Sequence, residues 1–75
     1  MSRYVSGEFE YGYDFPLQEY FLQRSIDSDE FEFEELVGSL SDTHGNASNM
    51  LAAIEAHGVI IPEDHREKIM MDLPF

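Results

Sequence analysis

Residues 26–40 read IDSDEFEFEELVGSL, and whether this stretch coils or extends decides the fold. It sets Asp27, Asp29, Glu30, Glu32, Glu34 and Glu35 among Ile26, Phe31, Phe33, Leu36, Val37 and Leu40, with no Lys or Arg. The apolar side chains must be buried while dense negative charge stays in water or against a partner. Asp27 followed by Glu30 is a capping-box-like pair, and Ile26 with Phe31 falls where a hydrophobic staple would sit. Beyond them Phe33, Leu36, Val37 and Leu40 recur at helical spacing. The early carboxylates also face the positive end of a helix dipole. A helix is therefore expected here. The competing reading is a strand, because Phe31-Glu32-Phe33-Glu34 alternates with period two.

Working outward toward the N-terminus, residues 3–15 alternate well enough to predict a half-buried aromatic strand or hairpin. Val5, Phe9, Tyr11, Tyr13 and Phe15 would share one face, and Tyr4, Ser6, Glu8, Glu10, Gly12 and Asp14 the other. Gly7 and Gly12 mark candidate bends. Pro16 suits the first turn of a helix, and Leu17, Tyr20, Phe21 and Arg24 follow at helical spacing, so a second helix is expected over residues 16–24.

Toward the C-terminus, residues 39–46 read as a polar loop. Asn46 is a candidate N-cap for a helix whose inner face holds Ala47, Met50, Leu51, Ile54 and His57. Gly58 followed by Val59 fits the C-terminal cap of that helix. Residues 59–61 are short and β-branched, which predicts a strand paired with the N-terminal one. Pro62, Glu63 and Asp64 open a last helix to about Asp72, with Ile69 and Leu73 facing inward. The expected fold class is α+β: a small single domain over residues 1–75, an aromatic strand or hairpin packed with three to four short helices.

Size and composition bound the function. A chain of 75 residues without cysteine has neither disulfides nor thiolate metal sites, which fits a reducing compartment. A core this small rarely supplies more than roughly 3–5 kcal/mol net, so a homodimer is one way to add buried area. The 43% apolar and 13% aromatic content is enough to build a core, which argues against disorder. No apolar run approaches the roughly 20 residues of a membrane span, and no signal-peptide segment opens the chain. A cytoplasmic protein is expected.

The net charge is −12, from sixteen acidic and four basic residues, and carboxylates run from Glu8 to Asp72. Such a chain repels nucleic acid and anionic membrane at long range. It attracts and steers a basic partner.

Two short motifs carry family resemblances. Ser41-Asp42-Thr43-His44-Gly45-Asn46, entered from an apolar run and followed by an Ala/Leu-rich helix, resembles the first motif of calcineurin-like metallophosphoesterases. That resemblance implies Asp42 and His44 as ligands in a two-metal site. It covers about residues 36–56, and the family's later Gly-Asp, Gly-Asn-His and Gly-His motifs have no counterpart here. Met50-Leu51-Ala52-Ala53-Ile54-Glu55 together with Ile61-Pro62-Glu63-Asp64-His65-Arg66-Glu67-Lys68-Ile69 is similar to the second half of an acyl carrier protein. The family's Asp-Ser-Leu is replaced by Asp42-Thr43-His44, without the serine that would carry phosphopantetheine. Neither motif completes a site. His44, His57 and His65 are scattered, no phosphate loop or cysteine nucleophile occurs, and Asp27, Asp29 and Glu30 lack the spacing of an EF-hand. No catalytic residue, metal or cofactor is expected.

The expected function is a small acidic inhibitor that binds a basic, nucleic-acid-binding protein by presenting carboxylates where phosphates would lie. Strand residues rise about 3.3 Å each, close to the roughly 3.4 Å per phosphate along one DNA strand. Glu8, Glu10, Asp27, Asp29, Glu30, Glu32, Glu34 and Glu35 are the expected charge contributors, with Tyr11 and Tyr20 as aromatic anchors. In composition the chain is similar to small acidic inhibitors that are often phage-encoded. The alternative is an acidic adaptor or structural subunit that docks its partner through the aromatic N-terminal segment.

Overall fold

The computed structural model describes residues 2–25, 33–38 and 41–75. Among them four strands, β1 (Tyr4–Ser6), β2 (Phe9–Asp14), β3 (Glu19–Ser25) and β4 (Phe33–Val37), form one antiparallel sheet in sequence order. Two helices follow, α1 (Ala47–His57) and α2 (Glu63–Met70). The α+β class holds, with two helices among the described residues where three to four were expected.

The aromatic N-terminal segment is a hairpin. Gly7 and Glu8 turn the chain between Ser6 and Phe9, and the positive φ of Gly7 (59°) is what a two-residue hairpin turn asks of its first central residue. This turn reverses the expected faces of β1. Tyr4 lies opposite Tyr11 and stacks on it, at 5.6 Å between ring centroids, so Tyr4 and not Val5 joins the core face. Val5 is exposed.

The helix expected over residues 16–24 is strand β3. Pro16 sits instead in a β-turn closed by Gln18 N–H donating to the Phe15 carbonyl at 3.3 Å. The fixed φ of proline serves the second position of such a turn as well as it serves a first helical turn, so the signal was shared. The spacing of Leu17, Tyr20, Phe21 and Arg24 was also ambiguous, because β3 buries both of its faces. Tyr20 and Leu22 point to the helices, whereas Phe21 points the other way, over Gly12, and carries the Arg3 guanidinium 5.8 Å from its ring centre.

Within residues 26–40 the helix reading fails over Phe33–Val37, which is β4. The proposed Asp27/Glu30 cap and Ile26/Phe31 staple lie outside the described residues. A bulge explains why the pattern imitated a helix. Leu22 pairs with Val37 but Gln23 pairs with Glu35, leaving Leu36 as the extra residue. The bulge rephases the pleat, so Val37 is fully buried while Glu35 moves to the opposite face. An apolar pair at adjacent positions is what a bulged strand and an amphipathic helix have in common.

Helix α1 follows its expected boundaries. Asn46 caps it by accepting from Asn49 N–H at 2.8 Å, and Gly58 ends it at φ 65° with Val59 N–H returning to the Ile54 carbonyl. Met50 and Ile54 are buried, but His57 is exposed on the helix flank. Helix α2 ends the same way around Asp72, at φ 58°, with Leu73 N–H donating to the Lys68 carbonyl and Asp72 N–H to Ile69. This left-handed stop turns the chain out of helical register. Ile69 is buried as expected, whereas Leu73 is half exposed and Phe75 enters the core in its place.

Residues 59–61 do not join the sheet. They link the helices, burying Val59 and Ile61, and Ser6 Oγ donates to the Ile60 carbonyl. The core therefore lies between one sheet face and the helices: Tyr11, Tyr20, Leu22 and Val37 below, Met50, Ile54, Val59, Ile61, Ile69 and Phe75 above.

Candidate protein-interaction surface

The eight expected acidic contributors divide into three groups. Asp27, Asp29, Glu30 and Glu32 lie outside the described residues. Glu8 and Glu34 are exposed, Glu8 in the hairpin turn and Glu34 on β4, where it pairs with Arg24 at 2.6 Å. Glu10 and Glu35 are half-buried on the sheet face away from the helices, both paired in register with Gln23, and Glu10 lies 3.6 Å from Arg3. Neighbouring strands run about 4.7–4.9 Å apart, so Glu10, Gln23 and Glu35 form a row across three strands.

The two proposed aromatic anchors are core residues. Tyr11 and Tyr20 are each only 1% exposed. The Tyr11 hydroxyl lies 2.8 Å from His65 Nδ1, and the Tyr20 hydroxyl donates to the Leu73 carbonyl at 2.7 Å. Burial raises the pKa of the Tyr11 phenol, aided by neighbouring Tyr4 and Asp64. Burial, then Asp72 and Tyr13, push Tyr20 up to about 12. Phe75 stacks between them, 5.9 Å from each ring, with Tyr4 and His65 closing the cluster. Tyr11 and Tyr20 are committed to holding α2 and the C-terminal segment on the sheet.

The sequence reading passed over what lies at the far end of the β2–β3 hairpin. Asp14 and Glu19 are direct cross-strand partners. Like charges so placed destabilise a sheet by roughly 0.2–1 kcal/mol. His44 Nδ1 stands 3.0 Å from Glu19 Oε1. Between the two carboxylates the turn exposes Phe15 and Leu17. The available signal was the Pro16 turn itself, since a hairpin would have put Asp14 and Glu19 side by side.

The Ser41–Gly45 loop is built for packing. Gly38 N–H donates to the Thr43 carbonyl, Ser41 Oγ bonds within the same turn, and Tyr20 N–H donates to the Gly45 carbonyl at 2.8 Å. A Cβ on Gly45 would run into the Tyr20 carbonyl, so only glycine lets the loop lie this close to β3. Asp42 and His44, the pair in the phosphoesterase-like motif, are both exposed, and His44 is turned toward Glu19. Among the described residues no three His, Asp or Glu side chains gather where they could hold a metal ion. No helix there is long and apolar enough to cross a membrane.

No protein-family model, no curated protein and no solved structure matches this chain.

Proposed function

We propose that this protein is a small acidic inhibitor that binds a basic, nucleic-acid-binding protein by imitating nucleic-acid charge. One observation carries the reading: among the described residues carboxylates occupy three neighbouring strands, Glu10 and Asp14 on β2, Glu19 on β3 and Glu34 and Glu35 on β4, with Glu8 in the first hairpin turn. Arg3 lies by Glu10 and Arg24 by Glu34, whereas among the described residues Glu8, Asp14 and Glu19 have no Lys or Arg in ion-pair range. Glu10 and Asp14 share one face of β2 four residues apart, about 13 Å, close to four phosphate intervals along a nucleic-acid strand. That separation supports the reading. The cost of assembling that charge is accepted within a fold that has little stability to lose.

Tyr11 and Tyr20, the anchors expected for either reading, are held in the core, so the surface carboxylates are what supports the proposal. The experiment is affinity capture from host lysate at low and physiological salt, followed by competition with duplex DNA. A charge mimic releases its captured protein as salt rises, and DNA displaces it. A captured protein that holds DNA and this chain together, at an affinity indifferent to salt, would end the proposal.

A further inference from the structure

We infer that the end of the sheet formed by the β2–β3 turn and the segment after α2 is an anchoring surface for a cationic amphipathic segment of a protein partner. The inference rests on the acidic-binder reading and locates the apolar contact that reading lacks.

Three observations meet there. Phe15 and Leu17 in the turn, and Leu73 after α2, are all among the exposed large apolar residues. Two rings join Phe15 to Leu73: the Phe15 ring lies 5.2 Å from Tyr13, Tyr13 lies 5.0 Å from Tyr20, and the Tyr20 hydroxyl donates to the Leu73 carbonyl. Leu17 shares the turn with Phe15. The buried ring of Tyr20 is thus the floor that ties the turn to the C-terminal segment. Asp72 immediately precedes the Leu73 that Tyr20 holds. Asp14 and Glu19, the cross-strand pair next to Tyr13 and Tyr20, flank the same end of the sheet from its other face, where His44 lies 3.0 Å from Glu19. Neither residues 13–23 nor residues 69–75 include a Lys or Arg.

The charge pattern selects the occupant. Apolar side chains give an anchor, and the carboxylates beside them favour a partner that brings cations flanking its own apolar face. A second copy is disfavoured, because a two-fold contact sets each patch against itself and would bring Asp14, Glu19 and Asp72 toward their own copies.

The test uses a synthetic amphipathic Lys/Leu peptide and its counterpart with every Leu replaced by Ser, titrated at low salt against the parent and Phe15→Ser/Leu73→Ser. The substituted side chains are half exposed, and circular dichroism verifies the fold. The parent should bind the Lys/Leu peptide more tightly than the Lys/Ser one. The variant should lose about tenfold toward Lys/Leu and nothing toward Lys/Ser. Chemical-shift mapping on the parent supplies a readout independent of the variant, with shifts expected at residues 13–19 and 72–75. Equal Lys/Leu affinity in parent and variant, or shifts elsewhere, overturns the anchoring surface and leaves the charge reading standing. Failure of both peptides to bind the parent overturns the charge reading and this inference with it. A parent that self-associates while the variant stays monomeric assigns the patch to a second copy and refutes the partner proposed here.

Discussion

Replacing Tyr20 by Phe should make the protein slightly weaker at neutral pH and markedly more tolerant of alkali. The hydroxyl is the only part removed. At pH 8 the loss is the hydrogen bond to the Leu73 carbonyl, 2.7 Å long, worth roughly 0.5–1.5 kcal/mol net. Water can reach the exposed Leu73, which places the cost toward the lower end. Alkali acts through the phenol. The folded chain holds the Tyr20 proton to about pH 12, against the ordinary 10.0 in the unfolded chain. Between those values the unfolded state binds fewer protons than the folded one, so stability falls as pH rises. The contribution is intact below pH 10 and gone above about 12. Two units correspond to roughly 3 kcal/mol, comparable with the whole net stability of roughly 3–5 kcal/mol expected for a core this small. Tyr11 moves in the same direction and adds to the loss. Urea unfolding of parent and variant at intervals from pH 8 to pH 12 isolates the Tyr20 part, because the remaining titrations are shared. The variant should start below the parent and cross above it before pH 12. Curves that fall in parallel would show that Tyr20 ionises without regard to its burial, and the packing argument for the aromatic cluster would fail.

Gly45→Ala should cost about 2–3 kcal/mol in denaturant unfolding, since the new methyl collides with the Tyr20 carbonyl and must break the Tyr20 N–H bond to the Gly45 carbonyl. Asp14→Asn keeps the acceptor for Leu17 N–H while removing the charge opposite Glu19. It should raise stability by roughly 0.2–1 kcal/mol and slow association with a basic peptide, which stopped-flow mixing would reveal. The melting temperature should climb from low to moderate salt as repulsion among the excess carboxylates is screened; a flat or falling profile would show that the charges are compensated within the fold.

The parts of the fold that could be read from the residues are those with local, directional chemistry. Asn46 and Gly58 bracket α1 because an Asn side chain and a left-handed glycine satisfy backbone groups that any helix leaves open. Pro62 with Glu63 and Asp64 opened α2 for similar local reasons. The misreadings all occur where a long-range partner decides. Tyr20, Phe21 and Leu22 are consecutive and all buried, which neither period two nor period 3.6 predicts, because β3 is central and covered on both faces. Leu36 and Val37 looked helical because the bulge opposite Leu22 and Gln23 is invisible until the strands are paired. The site followed the same rule. Individual carboxylates were plain in the sequence, but the juxtaposition of Asp14 with Glu19, and of Leu73 with Tyr20, exists only after the hairpin closes and the last segment docks on the sheet.

That docking also bears on how binding and folding are divided. Tyr4, Tyr11, Tyr20, His65 and Phe75 form one ring cluster, linking the first hairpin to the end of the chain. A fold without disulfides needs large rings inside, since each aromatic buries more apolar area than an aliphatic residue. The rings that would otherwise make good interface anchors are therefore spent on cohesion. What remains for a partner is charge, which acts mostly on encounter, and the apolar groups left exposed, Phe15, Leu17 and Leu73 at one end of the sheet and Val5, Ile60, Met70 and Met71 elsewhere. Charge alone weakens steeply as salt rises. Under the proposed anchoring, the small apolar end of the sheet would be where the protein gains residence time, and Tyr20, buried beside it, would connect the strength of that contact to the integrity of the core.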